Sequence, residues 1–352
     1  MAHEGPHDRN EQRRLEEVKR LGHKSDYTGP VKQWVRRHAW LPLGQARLEM
    51  VKDQGAAEYL TYFTLCAEKA IDVRLFWIED LLQFNGHEYP GVVFCECSPE
   101  SYEMIASRLG RTKGFRAFFE DLVLGEDAAK SVDFYSSLHF DVYNLDFTGV
   151  CFPNSDPPYS KTLAAIVTLI QRLGEPPYQR GFDMLLTFRA QRSMDNDQAV
   201  TQLKSNIRDN RRRLAWFDDL FRQRYSGDMA ELIGTYHEFL LVALPKFLGR
   251  VAKASGFGVR CPFRVYYPRP DAERPEYHIV SFGLSFEWVG TTSQVRPSVR
   301  QQVPSEEITA DYYFGMMRQI IEGDIVNVES VRFARDRYKR EVEDLLALIE
   351  ET

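Results

Sequence analysis

At 352 residues the chain is long enough for one large domain or two ordinary ones. Its 43% apolar and 27% charged content is normal for a soluble globular protein, and 23 Phe with 17 Tyr offer too much surface to bury for general disorder. A net charge of -6 excludes a uniformly nucleic-acid-coating protein and leaves room for a local basic patch.

No run of about 18 apolar residues occurs, and the polar N-terminus lacks a secretory apolar core. The expectation is a cytoplasmic protein with no membrane partner. The five cysteines, Cys66, Cys95, Cys97, Cys151 and Cys261, are scattered through apolar segments and read as reduced thiols. Cys95-Glu-Cys97 lacks the spacing of a zinc knuckle, so no metal is expected.

Residues 1–25 are charged, with only Leu15, Val18 and Leu21 as an apolar stripe, as in a surface helix or frayed arm. After Gly29-Pro30, segments 31–38 and 43–54 read as two short helices separated by Pro42 and Gly44 and anchored by Trp34 and Trp40. Segment 59–65, YLTYFTL, is a first strand. Segment 71–84 is expected to be helical in its second half. Segment 92–97, VVFCEC, is a strand covered on both faces. Ser98 then caps a helix, Pro99 takes its first position, and Gly110 stops it.

Segment 115–119 is a third strand. Phe140 to Gly149, FDVYNLDFTG, reads as a buried fourth strand that breaks off at Asn144 and Asp146. Segment 159–173 is a helix and 182–188 a fifth strand. Segment 197–225 looks like one basic helix, and 229–254 like a long helix broken at Pro245. Segments 263–267 and 277–288 form an antiparallel hairpin. Two helices follow, the first opening at Ser305-Glu306-Glu307 with its acids well placed in the first turn. Strands alternating with helices predict an α/β fold with a Rossmann-like, mostly parallel sheet closed by an antiparallel hairpin. The organisation expected is a helical extension over 1–54, the sheet domain over 55–290 and a second helical extension over 291–352.

This order of elements is similar to the fold of class I S-adenosylmethionine (SAM) dependent methyltransferases over about residues 55–290. More distantly, the chain resembles the methyltransferase-like partner proteins of bacterial defence loci. The resemblance implies SAM as cofactor. It implies that Glu96, at the end of the second strand, accepts the ribose hydroxyls, as carboxylates do in dinucleotide folds. Asp121, beside Glu120 after the third strand, would lie near the adenine. The loop after the first strand departs from the pattern. It reads Cys66-Ala67-Glu68-Lys69-Ala70-Ile71-Asp72, with no Gly where backbone should approach the cofactor. Either Glu68 or Asp72 meets the SAM ammonium there, or the pocket binds no SAM.

Asn144 and Asp146 are the candidate catalytic residues, because polar groups at the carboxyl end of a central parallel strand lie where such sheets bind ligands. A turn-capping role for Asp146 is the plainer alternative. Asp156-Pro157-Pro158-Tyr159 matches the DPPY box of enzymes that methylate exocyclic amines of flipped bases. It also reads as a helix start, with Asp156 as N-cap and Pro157 as first residue. Arg189 and Arg192, just past the fifth strand, are candidates for a substrate carboxylate or phosphate.

Arg208, Arg211, Arg212 and Arg213, interleaved with Trp216 and Phe217, suit phosphate binding with stacking. A solvated face paired to Asp209, Asp218 and Asp219 is the alternative. His139 and His237 lie on apolar segments and read as core or partner-bonded histidines rather than catalysts. Two functions follow. One is a SAM-dependent methyltransferase acting on a nucleic acid or nucleotide. The other is a non-catalytic interaction or nucleic-acid-binding subunit of a larger assembly, with a protein partner.

Overall fold

A strand followed by a helix returns the chain to the edge where the strand began, so successive strands of this kind pair in parallel. The computed structural model describes residues 28–153, 160–268, 277–290 and 306–348. Its strands are β1 (Tyr62–Leu65), β2 (Val92–Glu96), β3 (Lys113–Arg116), β4 (Val142–Val150), β5 (Phe182–Ala190), β6 (Phe257–Pro268), β7 (His278–Trp288) and β8 (Val326–Asn327). They form one sheet in the order β3-β2-β1-β4-β5-β7-β6-β8. The first five are parallel. β7 runs antiparallel to both β5 and β6, which closes the sheet with a hairpin, and β8 pairs parallel to β6. The expected α/β class and Rossmann-like sheet are therefore what the chain forms. The strand order reverses between β1 and β4, the place where open sheets of this kind offer a crevice.

The helices are α1 (Pro30–Val35), α2 (Leu41–Asp53), α3 (Ile71–Ile78), α4 (Pro99–Leu109), α5 (Phe119–Leu124), α6 (Ala128–Ser136) and α7 (Lys161–Leu173). They continue with α8 (Asp197–Arg213), α9 (Ala215–Arg224), α10 (Met229–Gly234), α11 (Tyr236–Ala254), α12 (Glu306–Glu322) and α13 (Arg335–Ala347). Side chains alternate across a strand, so each strand feeds two cores. Phe63, Tyr143, Leu145 and Met184 join Ile166, Leu203 and Leu240 on one face. Tyr62, Phe94, Val142 and Leu185 join Trp40, Leu48, Phe76 and Val342 on the other.

Both helical extensions are built into these layers. α2 is tied to the sheet by a buried Arg47–Asp183 ion pair at 2.5 Å. Trp40, between α1 and α2, donates its indole N–H to Ser281 Oγ of β7 at 3.2 Å. α13 holds α1 and the turn after it from outside through Glu341, which accepts from Gln33 at 3.2 Å and pairs with Arg37, and through Tyr338, whose hydroxyl lies 2.6 Å from His38 Nε2. α12 meets β6, where Gln319 accepts the Cys261 N–H at 3.1 Å.

Several boundaries differ from the sequence expectation. β4 does not break at Asn144 and Asp146. It runs to Val150, and its pairing with β5 turns irregular only after Asp146. The third strand is Lys113–Arg116, and Phe119 instead opens α5. α3 fills the first half of its segment rather than the second. The two N-terminal helices are joined by a π-helical turn, Arg36–Trp40, because Pro42 sits in the first turn of α2, where a missing N–H costs nothing. The basic helix is two, broken at Leu214. Pro245 lies inside α11, and the break falls at Thr235. α7 is capped by Ser160, which accepts the Leu163 N–H, and starts at Lys161. Residues 1–25, Asp156, Tyr159 and Ser305 lie outside the described residues.

The α4 signals hold in detail, with Ser98 Oγ accepting the Ser101 N–H and Gly110 at φ 64°. A Cβ on Gly110 would sit 1.9 Å from the His87 carbonyl oxygen. Gly110→Ala is expected to destabilise the fold by about 2 kcal/mol or more in denaturant unfolding. An unchanged midpoint would show that the α4 turn relaxes freely.

Candidate functional site

Parallel pairing brings the carboxyl ends of β1, β2, β4 and β5 to one edge. In register, Leu65 stands beside Cys95, Thr64 beside Asn144, and Asp146 beside Thr187. Glu96 and Asp146 therefore share that edge. Alternation turns Tyr62, Thr64, Asn144 and Asp146 toward the same face, the one covered by α1, α2 and α3.

Asp72, in the first turn of α3, is the hub. Its Oδ2 accepts from the Tyr62 hydroxyl at 2.9 Å, from Thr64 Oγ1 at 2.9 Å and from Asn144 Nδ2 at 3.0 Å. Asn144 Nδ2 also reaches the Tyr62 hydroxyl at 2.8 Å. Asn144 is 1% exposed, and its Oδ1 is a buried acceptor without a hydrogen bond. Burial, followed by the neighbouring Asp72, pushes the Tyr62 hydroxyl and the Cys66 thiol well above their ordinary values. Cys66 is thus a structural thiol, not a nucleophile. All five cysteines are free.

Asp146 is met from outside the sheet. Lys32 of α1 donates to its Oδ1 at 2.8 Å, with the ammonium also 4.5 Å from the Trp40 ring centre. Burial lowers the lysine's proton affinity, and Asp146 opposes that shift.

At the tip of β2, Glu96 Oε1 accepts the Ser98 N–H at 2.7 Å. Burial raises the Glu96 pKa, and that backbone N–H holds it back. Glu68 accepts Ser101 Oγ at 3.1 Å. Glu120 accepts from Thr162 at 2.6 Å, and Asp121 lies 3.9 Å from Lys161. The turn between β1 and α3 has no Gly, yet it still uses the left-handed conformation, at Ala70 with φ 44° and ψ 36°. An L-residue there carries strain of about 1–2 kcal/mol.

Arg189 lies inside β5, not past it, and is 5% exposed. Arg192 pairs with Asp197 and donates to the Asp195 carbonyl, which closes the turn before α8. Asp195 itself is 1% exposed. It accepts the Phe152 N–H at 3.1 Å and the Tyr236 hydroxyl at 2.6 Å, so it clasps the segment after β4 to the segment after β5. Burial pushes its pKa up to about 7. His237 forms a ring cluster with Tyr266 at 4.2 Å and His278 at 4.0 Å, both tilted against it.

The arginine helix belongs elsewhere. α8 begins at this edge, where the Asn196 N–H donates to the Phe152 carbonyl. Fourteen residues on, Arg211 lies about 20 Å along the helix axis. It is held by Asp218 at 2.5 Å and by the Gly227 carbonyl at 3.1 Å. Phe217 is fully buried. Arg208, Arg212 and Arg213 are exposed.

Sequence reasoning missed Lys32, Tyr62, Thr64, Asp195 and Tyr236. Tyr62 and Thr64 were within reach, because period-2 alternation beside Asn144 puts them on its face. Lys32 carried no signal, since nothing local says that α1 crosses the β4 tip. Among the described residues no group of three or more His, Cys, Asp or Glu could hold a metal, and no helix is long and apolar enough to cross a membrane.

Lys32→Met would leave Asp146 buried without its cation and is expected to cost about 3–5 kcal/mol. The double variant Lys32→Met/Asp146→Leu should recover most of that in chemical denaturation. A single variant as stable as the parent would mean the pair is solvated. Asp195 gives a pH signature. Its folded pKa near 7 lies above the ordinary 3.8, so the native state keeps a proton that the unfolded chain releases. That stability is fully present below about pH 4 and is lost as pH rises through about 7. His237, lowered to about 4 by burial, acts in the opposite sense over pH 4–6.5. Asp195→Asn should remove the first slope and keep the second in melts run across this range. An unaltered profile would rule out a protonated Asp195.

No protein-family model matches this chain, and no curated protein does.

Proposed function

We propose that this chain is a methyltransferase-like protein that binds SAM at the carboxyl edge and acts on a nucleic acid or nucleotide. The observation that carries the reading is the convergence at the β1/β4 reversal. The tips of β1, β2 and β4 meet there, and Glu96 at the β2 tip uses Oε1 for a backbone N–H. Its other oxygen suits a ribose hydroxyl. Glu68, on the turn after β1, suits a cationic group of the same ligand. SAM would supply the transferable methyl group. The chain's own part is to hold and orient the ligand and an acceptor.

The donor set fits the ribose end of that ligand better than the reacting end. Asp72 Oδ2 already takes three donors, and Asp146 already takes Lys32. That engagement favours a second reading, a methyltransferase-fold subunit of an assembly, possessing the sheet and the ligand crevice without the transfer step.

Titration calorimetry with SAM tests both. Binding is expected, and Glu96→Ala should weaken it tenfold or more, about 1.4 kcal/mol. No heat and no thermal shift at millimolar SAM would end the first reading. Binding without methyl transfer to any nucleotide or oligonucleotide would leave the second.

A further inference from the structure

We infer that the corner where α8, α9, α11 and α12 meet is a docking surface for single-stranded nucleic acid. It lies at the end of α8 away from the crevice. The inference rests on the nucleic-acid part of the reading above and moves the contact to a different surface.

Three interactions tie α8 and α9 to α12 there. Asn210 of α8 donates to Met317 Sδ of α12 at 2.8 Å. The Trp216 ring of α9 meets Phe314 of α12 edge-on at 6.1 Å, and the Arg318 guanidinium lies 5.7 Å from the Trp216 ring centre. Arg212 and Arg213 close α8 one turn past Asn210, next to Trp216 in the chain. Arg250 of α11 reaches the same place. It offsets the burial-raised pKa of Tyr313, and after burial it is the next cause lowering Lys246, to about 7.

Arg212, Arg213, Arg250 and Arg318 are exposed, and among the described residues none of them makes an ion pair. Phe314 is 36% exposed, one of few large apolar side chains left in water. Acids on the same helices are Asp209, Asp218, Asp219 and Asp311, of which Asp218 is taken by Arg211 and Arg222.

A helix dipole favours cations in the last turn of α8. It accounts for Arg212 and Arg213, and it says nothing about Arg250 and Arg318, which come from two other helices. Exposed arginines from three helices, with Arg318 lying over the Trp216 ring and Phe314 beside it, combine phosphate neutralisation with an aromatic surface. Single strands use that combination, because their bases are free to stack and the contact needs no groove. A chain of net charge -6 that concentrates bare arginines at one corner also orients a polyanion toward it.

The test is fluorescence anisotropy with a labelled 20-nucleotide oligo-dT at 50 mM salt, without SAM. Binding is expected, with a logarithmic salt slope of about -3 for four neutralised phosphates. Arg212→Glu/Arg213→Glu should weaken it at least tenfold, with a melting temperature lowered by no more than the lost helix-end attraction. Phe314→Ala, a surface change, should weaken it severalfold while leaving the salt slope alone. No binding, or equal binding by the double charge reversal, overturns the proposal. A duplex of the same length that binds more tightly and ignores Phe314→Ala overturns the single-strand assignment. Equal displacement by poly-glutamate would assign the corner to acidic proteins instead. SAM calorimetry on the same variants separates this outcome from that of the crevice.

Discussion

A carboxylate removed from water must be met by a cation, by several donors, or by a proton. This molecule uses all three answers around its sheet. Asp72 takes three donors, Asp146 takes Lys32, Asp183 takes Arg47, and Asp195 keeps its proton toward neutral pH. These four sites decide how the layers are assembled. Asp146 and Asp183 bind one helical run at two points, so that α1 and α2 lie along β4 and β5 in a single register. Asp72 fixes the start of α3 against β1 and β4. Asp195 joins the segments that leave β4 and β5.

The same groups shape what the carboxyl edge of the sheet offers. A buried acid that is already satisfied is a poor base, and both acids beneath the β4 tip are satisfied. Glu96, which takes Ser98 and Cys97, and Glu68, which takes Ser101, stand farther out on β2 and on the turn after β1. The acids beneath the β4 tip are therefore structural in this arrangement, each already spent on a partner within the chain. The exposed arginines, about a helix length away, belong to a separate surface of the molecule.

Much of this architecture is legible in the chain. VVFCEC followed by Ser-Pro-Glu declares β2 and α4, because a continuous apolar run needs cover on both faces and a hydroxyl before proline starts a helix. FDVYNLDFTG declares β4 and its polar tip. Its true length is hidden, since Asn144, Asp146 and Gly149 look like a stop and yet remain in the strand. The break at Thr235 is hidden by Pro245, the stronger breaker by propensity, which tertiary packing nevertheless carries inside the helix. The site was legible as to edge and illegible as to partner. Asn144 and Asp146 stand where alternation says. The cation that meets Asp146 lies 114 positions earlier in the chain, and no local pattern reports a contact of that span.

The π-helical turn at Arg36–Trp40 has a consequence for descent as well as for shape. Such a turn is an α-helix with one surplus residue, and one residue is worth about 100° of rotation about the axis. Excising any one amino acid between Lys32 and Leu41 would restore a regular helix. It would also swing the lysine a quarter-turn off its acid while Arg47 stayed home. The phase of the first segment is thus adjustable by single-codon insertion or loss, independently of the second. Lineages that shed the extra residue would need a different answer for the acid at position 146.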